Sequence, residues 1–300
     1  MKITNKYGLP SAFLEYANSD KYSKGKADIS VTSLIDSPRV RLMKDIYNDV
    51  SEQDVSDMIW PLFGTAVHKV LEEVEQDENR ITEERLYTEV DGWILSGAID
   101  QQIIDGNDVS IIDYKTTSAW SVIYGKKDWE LQTNLYSYLV QKEKGLNVKS
   151  IQICAILRDW NRRDAMTKDN YPKSQVVMID IPIWSFDNID EYAKERIGVH
   201  QNATQLFDLE NELPLCSDED KWTKPTVYAV HKENKKGELS KKALRLFDSY
   251  TLAENFMVSE FCYGEKVVIV ERKGEDTRCK SYCNVSEFCD QFNPSLKIEN

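Results

Sequence analysis

A β-hairpin with acidic residues at matching positions in its two strands is the feature that most constrains the fold of this chain. Residues 98–117 contain two apolar runs on either side of the sequence DGND. These are turn-forming residues that join antiparallel strands. If Ile104 faces Val109, counting outwards along both strands brings Asp100 opposite Asp113. The spacing therefore predicts two facing carboxylates with their Cβ atoms ~5 Å apart.

Like charges that face each other in a sheet are destabilising, so this pair needs an explanation. A divalent cation between the carboxylates would supply one, and oxygen ligands suit Mg²⁺ or Mn²⁺. Lys115 shares a strand face with Asp113, so it would stand beside the metal and stabilise negative charge on a phosphate. The alternative interpretation is structural: Asp100 caps a turn, and Asp113 and Lys115 form a surface ion pair.

Two flanking helices carry polar pairs at a spacing of one helical turn. The first helix has His68 and Glu72 one turn apart, with an apolar face elsewhere. The second has Gln132 and Tyr136, beside a leucine stripe that ends at a glycine stop signal, Gly145. Each pair alone is a weak indication of a site. The predicted apolar face of the first helix consists of Val67, Val70, Leu71 and Val74, and the leucine stripe consists of Leu131, Leu135 and Leu139.

The order of elements predicts a mixed α/β protein with a central mixed β-sheet flanked by helices. We expect a mostly helical region over 1–60, a core over 61–210 and a C-terminal lobe over 211–300. Hydrophobic residues make up 41% and charged residues 30% of the chain, as in globular proteins. No apolar run is long enough to cross a bilayer, and the N-terminus does not resemble a signal peptide. We therefore expect a cytoplasmic protein.

The net charge of −13 argues against general affinity for nucleic acid, but the charge is uneven. A basic stripe over 221–245 has only two acids, Glu233 and Glu238. It indicates either a local surface for DNA or a solvated hairpin. The basic residues of this stripe are Lys221, Lys224, Lys232, Lys235, Lys236, Lys241, Lys242 and Arg245.

Four cysteines form a second candidate site, with one distant residue and three near the C-terminus: Cys216, Cys279, Cys283 and Cys289. In a cytoplasmic chain such a group indicates metal before disulfide. Four thiolates suit a [4Fe–4S] cluster or a structural Zn²⁺, and their spacing does not separate the two. The remaining interpretation is four free thiols.

Taken in order, the motifs of the central region resemble those of the RecB-like branch of the PD-(D/E)XK nuclease superfamily. They are GTAVHKVLE at 64–72, GAID at 97–100, DYK at 113–115 and QTNLY at 132–136. The resemblance implies a restriction-endonuclease-like core. It implies metal-binding acids at Asp100 and Asp113, further ligands at His68 and the Tyr114 carbonyl, and a catalytic lysine at Lys115. Gln132 and Tyr136 would hold the DNA backbone, and Glu72 would support the site.

The cysteines resemble the iron–sulfur staple of the AddB nuclease and of CRISPR-associated RecB-like exonucleases. Two departures are clear. Cys216 follows the nuclease motifs instead of preceding them, and three residues separate Cys279 from Cys283 where those families often have two. Other segments are similar to phage and prophage members of the branch.

Together these resemblances imply a Mg²⁺- or Mn²⁺-dependent exonuclease acting on single-stranded DNA or on DNA ends, in phage recombination, replication or repair. If the chain is phage-encoded, it would work in the host cytoplasm, with a helicase or a single-strand annealing or binding protein as partner. Two alternatives stay open: a non-catalytic DNA-binding recombination accessory protein, and an iron–sulfur redox or sensor protein.

Overall fold

The computed structural model describes residues 2–19, 25–73, 79–234, 236–261 and 266–298, without the side chains of Glu72, Lys297 and Ile298. The chain divides into two compact units, residues 1–214 and 215–300. Residues 1–60 belong to the same unit as the predicted core, and the second unit begins near the predicted start of the C-terminal lobe. The finer division into three regions stays a prediction.

The first unit contains eight described strands and eight described α-helices. The strands are β1 (Lys2–Thr4), β2 (Ile29–Ser30), β3 (Glu52–Asp54), β4 (Arg80–Val90), β5 (Trp93–Asp105), β6 (Asp108–Thr117), β7 (Asn147–Leu157) and β8 (Val176–Asp180). The helices are α1 (Ser11–Ser19), α2 (Val31–Ile35), α3 (Pro38–Ile46), α4 (Ile59–Glu72), α5 (Ala119–Tyr124), α6 (Lys127–Lys144), α7 (Arg162–Thr167) and α8 (Phe186–Glu210). A 3₁₀ turn, Val55–Met58, leads into α4.

The central sheet has six strands in the order β2-β5-β6-β7-β8, with β4 paired to β5. Strands β2 and β5 are parallel, as are β6 and β7. Strand β5 is antiparallel to both β4 and β6, and β8 is antiparallel to β7. Helix α6 packs on β4, β5 and β7, and α4 packs on β6. The predicted fold class, a mixed sheet flanked by helices, is confirmed.

The β5–β6 hairpin has the register that the sequence predicts. Ile104 pairs with Val109, and Gln101 pairs with Ile112, so Asp100 and Asp113 are the next residues along the two strands. The turn itself is only two residues long and begins at Gly106, which has φ +61°. Glycine adopts this left-handed conformation without a Cβ penalty, so the turn fixes the register.

Helix α6 forms the centre of the core of the first unit. Leu135 and Leu139 are fully buried against Ile99 and Ile111 of the hairpin strands. The helix stops at Gly145, whose φ of +66° lets its N–H cap the helix by bonding to the Gln141 carbonyl. The leucine stripe and the glycine stop are therefore where the sequence predicts them.

Helix α4 does not bury the apolar face that the sequence predicts. Val70 is 68% exposed, and Val74 lies outside the described residues. The helix approaches the sheet at Gly64, where an added Cβ would lie 3.4 Å from Thr116 Oγ1. Because Gly64 and His68 are one turn apart, the side of α4 that meets β6 is the side that carries the histidine.

The second unit is built on a three-stranded antiparallel sheet in the order β11-β10-β12. Its strands are β9 (Thr223–Lys224), β10 (Val227–Lys232), β11 (Arg245–Phe247), β12 (Val267–Arg272) and β13 (Glu275–Asp276), and its α-helices are α9 (Asp218–Lys221), α10 (Tyr250–Glu260) and α11 (Thr277–Ser281). Two 3₁₀ turns follow at Ser286–Phe288 and Pro294–Ile298. The predicted hairpin appears as the β10–β11 pair.

The basic stripe of the second unit is partly neutralised by neighbouring acids. Lys221 lies 3.0 Å from Asp218 and 3.5 Å from Asp276, and Lys224 lies 3.3 Å from Glu275. Lys235 lies outside the described residues. A role of this stripe in guiding DNA stays a prediction. In the described parts of both units, every helix is too short or too polar to cross a membrane.

Candidate metal centre

A cleft of about 410 Å³ lies where α2, α4, α6 and the hairpin strands meet. This volume is within the range of small-ligand sites, roughly 300–1,000 Å³. Five of the predicted site residues line it: His68, Asp100, Lys115, Gln132 and Tyr136. The other residues around it are Ser30, Val31, Thr32, Gly64, Thr65, Lys69, Glu83, Ser96, Gly97 and Ala98.

Three of these side chains converge closely enough to share one metal ion. Ligand atoms of His68, Glu83 and Asp100 all lie within 4.8 Å of one another. His68 Nδ1 is 3.1 Å from Glu83 Oε1 and 3.7 Å from Asp100 Oδ1. Two carboxylates and an imidazole form a donor set that divalent cations such as Mg²⁺, Mn²⁺ or Zn²⁺ accept.

Glu83 reaches this group from an unusual backbone conformation in β4. Its φ is +50°, a region that non-glycine residues rarely adopt and that costs of order 1–3 kcal/mol. Thr82 pairs with Gln101 and Glu84 pairs with Ile99, so Glu83 lies opposite Asp100 in the β4–β5 ladder. The register therefore aligns three acidic residues across three adjacent strands: Glu83, Asp100 and Asp113.

Asp113 is fully buried, yet its carboxylate is only partly satisfied. One oxygen, Oδ2, lies 2.7 Å from the Lys115 ammonium nitrogen. The other, Oδ1, has no hydrogen-bond partner in the described part of the chain. A buried carboxylate oxygen without a partner is costly and calls for an explanation such as an ion.

The main chain of Tyr114 ties the acidic strand to the histidine. Its N–H donates a hydrogen bond to Asp100 Oδ2 at 2.7 Å, and its carbonyl oxygen lies 3.2 Å from His68 Nε2. Both ring nitrogens of His68 thus face oxygen acceptors, which favours the doubly protonated imidazolium, and a cation that bound to this ring would displace one of the two protons. The predicted ligand carbonyl of Tyr114 is directed at this histidine.

Burial and mutual repulsion set the ionisation of these groups. Burial, followed by repulsion from Asp113, raises the pKa of Asp100 to about 7. The hydrogen bond to Glu83 is the largest cause that raises the pKa of His68, which reaches about 9. Burial lowers the pKa of Lys115, but attraction by Asp113 and Asp100 outweighs it, so the net shift is upward. The repulsion between Asp100 and Asp113 is the part of this balance that a bound cation would relieve.

Gln132 and Tyr136 meet in the wall of the cleft. Gln132 Nε2 donates a hydrogen bond to the Tyr136 hydroxyl at 2.6 Å. The tyrosine ring leans against the backbone of Gly97, where an added Cβ would come within 2.8 Å of the ring. Gly97 therefore provides the space that lets Tyr136 reach the cleft.

The residues present fit a hard divalent cation. They offer carboxylate oxygens from Glu83 and Asp100, an imidazole nitrogen from His68 and the unpartnered oxygen of Asp113. Among the described residues, the three side chains that converge are those of His68, Glu83 and Asp100. Glu83, and not the predicted Asp113, is therefore the second acid of this group. The ligand roles predicted for His68, Asp100, Asp113 and Tyr114 stay predictions.

Glu83 is the site residue that the sequence reasoning missed. The strand β4 meets β5 at the Asp91–Gly92 turn, where Val90 pairs with Trp93. Counting outwards from this turn places Glu83 opposite Asp100, as the same count did for Asp113, so the signal was present in the sequence. Glu72, predicted to support the site, ends α4, and its side chain lies outside what the structure describes.

The four cysteines of the second unit are neighbours in space. Burial raises the pKa of the Cys279 thiol to about 11, with further contributions from Cys283, Asp276, Cys216 and Cys289. The amide of Gln291, two residues beyond Cys289, bonds both the N–H and the carbonyl of Cys216 at 2.8 and 2.9 Å. Among the described residues, however, no three cysteine sulfurs come within 4.8 Å of one another.

Comparison with known proteins adds little to this geometry. No protein-family profile and no curated protein matches the chain. Among solved structures, the protein SSO0001 is 20% identical with a TM-score of 0.43, over 63% of this chain and 83% of its own. A "Putative exonuclease" from Eubacterium rectale is 13% identical with a TM-score of 0.27, over 64% of this chain and 72% of its own.

Proposed function

We propose that this protein is a metal-dependent deoxyribonuclease, an exonuclease that acts on single-stranded DNA or on DNA ends. The observation that carries the proposal is the meeting of acids, histidine and lysine in one cleft. His68, Glu83 and Asp100 converge within 4.8 Å, and the buried Asp113 contacts Lys115 at 2.7 Å beside them. Acids that hold a divalent cation next to a lysine suit phosphodiester hydrolysis.

A bound Mg²⁺ or Mn²⁺ would activate water and neutralise charge on the phosphate. Asp100, Asp113, His68 and Glu83 are the side chains that would hold it, with the Tyr114 carbonyl as a backbone ligand. Lys115 stays protonated in its acidic surroundings, so its ammonium stabilises negative charge that develops on the phosphate. Gln132 and Tyr136, in the wall of the cleft, would offer an amide and a hydroxyl to the DNA backbone.

The resemblance of the motifs to those of RecB-like nucleases is what favours DNA over other phosphodiesters as the substrate. Several of these motifs, including DYK and QTNLY, contribute residues to a single cleft. We extend the resemblance to the biological setting and propose a role in phage recombination, replication or repair. A helicase or a single-strand annealing or binding protein would then be the natural partner.

The direct test is degradation of end-labelled DNA by the purified protein with Mn²⁺. Oligonucleotides labelled at the 5′ or the 3′ end, single- and double-stranded, distinguish exonuclease from endonuclease action and give the polarity. Lys115→Ala should abolish degradation. The melting temperature of this variant serves as the control, because it shows whether the protein is still folded. Wild-type protein that leaves every substrate intact with both Mn²⁺ and Mg²⁺ would refute the proposal.

We further propose that Cys216, Cys279, Cys283 and Cys289 hold a [4Fe–4S] cluster that staples the second unit. Four thiolates suit either metal group, and we favour the cluster because the cysteine pattern resembles that of the iron–sulfur nucleases. The cluster would be structural, because it closes a loop of some sixty residues.

Metal analysis of anaerobically purified protein tests this assignment. The proposal predicts about four irons and four sulfides per chain for a [4Fe–4S] cluster, together with a visible absorption band. Cys279→Ser should remove the iron, and Cys154→Ser, outside the group, should retain it. A colourless protein with one zinc per chain would contradict the proposal.

A further inference from the structure

An exposed tryptophan with an arginine on its ring lies on the same side of α4 as His68. Trp60, Gly64 and His68 are spaced by four residues each, so they follow one face of the helix. The distance along the helix axis from Trp60 to His68 is ~12 Å. Gly64, between them, lines the cleft. Trp60 lies one helical turn before Gly64 on this side of α4, outside the lining of the cleft.

Trp60 is one of the exposed tryptophans of the chain. It is 54% exposed, and Phe63 next to it is 41% exposed. The two rings meet edge to face with centroids 6.5 Å apart, which holds Trp60 in place. An exposed aromatic ring held in place beside a cleft offers a flat face on which a nucleic-acid base can stack.

A cation covers part of this aromatic surface. The Arg158 guanidinium lies 4.4 Å from the centroid of the Trp60 ring. The backbone N–H of Arg158 donates a hydrogen bond to the carbonyl of Thr117, the last residue of β6. Because Thr117 is two residues beyond Lys115, this bond fixes the arginine backbone near the end of the strand that carries the lysine. In a chain with a net charge of −13, an arginine and an open indole side by side form a local surface for an anionic, aromatic ligand.

We propose that Trp60 and Arg158 form a stacking platform for the bases of single-stranded DNA, which leads the strand into the metal centre. This inference rests on the proposed nuclease function and specifies its substrate. Bases stack on aromatic rings regardless of sequence, while a neighbouring arginine attracts the backbone. Duplex DNA keeps its bases stacked inside, so the platform favours unpaired strands.

The test compares oligo-dT with an oligonucleotide of equal length whose terminal residues are abasic. Base stacking of ~1–3 kcal/mol corresponds to a roughly 5- to 140-fold higher KM for the abasic strand. Trp60→Leu should raise KM for oligo-dT by a similar factor and abolish the discrimination, with kcat largely retained. Trp60→Phe, which keeps a ring at the same position, should preserve most of the discrimination.

The outcomes separate this inference from the proposed function. Wild-type protein that degrades both strands with the same KM overturns the platform and leaves the nuclease assignment standing, and this result needs no variant. Trp60→Leu protein with unchanged KM and unchanged discrimination overturns it as well. Wild-type protein that degrades no DNA refutes the nuclease proposal, and the platform with it.

Discussion

His68 Nδ1 lies 3.1 Å from Glu83 Oε1, which joins a helix and a strand that are separated by fifteen positions in the chain. The contact depends on the left-handed conformation of Glu83 at φ +50°. The backbone of β4 is thus strained at Glu83, the residue whose side chain reaches the candidate metal centre. Strain of this kind persists where the surrounding structure requires it.

Glu83→Gly is expected to stabilise the fold and weaken metal binding. Glycine adopts positive φ without a Cβ penalty, so we expect the free energy of unfolding to rise by about 1 kcal/mol. Loss of the carboxylate should lower the affinity for Mn²⁺ by about 10- to 100-fold. Urea unfolding and calorimetric titration measure the two effects separately.

Asp91→Gly is the matched control for that variant. Asp91 also has positive φ, +47°, but it belongs to the β4–β5 turn outside the cleft. We expect a similar gain in stability with unchanged Mn²⁺ affinity. If Glu83→Gly binds Mn²⁺ as tightly as the wild type does, Glu83 has no part in the metal centre.

Gly97→Ala should disturb the position of Tyr136. The new methyl group would lie 2.8 Å from both Tyr136 Cε1 and Leu139 Cδ1. Overpacking of this kind costs about 1–3 kcal/mol, and the displaced tyrosine should lower the rate of DNA degradation. Thermal unfolding and the nuclease assay check the two consequences.

Gly64→Ala provides the comparison, since its methyl group would meet Thr116 Oγ1 at an ordinary 3.4 Å. Alanine also favours the helix interior by about 1 kcal/mol over glycine. We therefore expect Gly64→Ala to be at least as stable as the wild type. A Gly97→Ala protein that melts at the wild-type temperature would show that the core accommodates the methyl group.

Buried His200 should make the stability of the first unit depend on pH. Its Nε2 lies 3.1 Å from the Leu34 carbonyl oxygen, and its Nδ1 accepts a hydrogen bond from Arg41 Nε at 3.0 Å. If His200 took up a second proton, the proton on Nδ1 would point at the N–H of Arg41 and this hydrogen bond would be lost. Burial is the main cause that lowers the pKa of His200 from 6.5 to about 4, with smaller contributions from Arg196 and Arg41.

Because the unfolded chain binds this proton at higher pH than the folded one, stability falls as the pH drops from about 6.5 to about 4. The expected loss is on the order of 3 kcal/mol. Glutamine at position 200 does not titrate, so the difference between wild type and His200→Gln in urea unfolding isolates the effect. Equal pH slopes for the two proteins would contradict it.

The sequence predicts the hairpin register and the α6 core because both depend on local signals. The two-residue turn at Gly106 and the leucine period of α6 are strong constraints, and five residue pairs of the β5–β6 ladder follow the predicted count. The exposure of Val70 could not be predicted in the same way. An amphipathic pattern indicates a face, but only tertiary contacts decide that α4 turns Gly64 towards the sheet.

Glu83 shows a different limit. Its place opposite Asp100 follows from the turn at Asp91, so a second register count would have found it. Its left-handed backbone could not be anticipated, since glutamate in a strand favours extended conformations. The convergence with His68 depends on that conformation and on the packing of α4 on β6. The cysteine spacing, in turn, indicates a metal group without deciding which metal it holds.

The most direct test of the central claim is the rate of Mn²⁺-dependent DNA degradation by Asp113→Asn beside Asp108→Asn. Both substitutions remove one charge from the same strand, but Asp113 is fully buried with an unpartnered oxygen, whereas Asp108 lies at the exposed end of the hairpin. Our account predicts loss of degradation in Asp113→Asn and wild-type rates in Asp108→Asn. Equal rates in wild type and folded Asp113→Asn would contradict it.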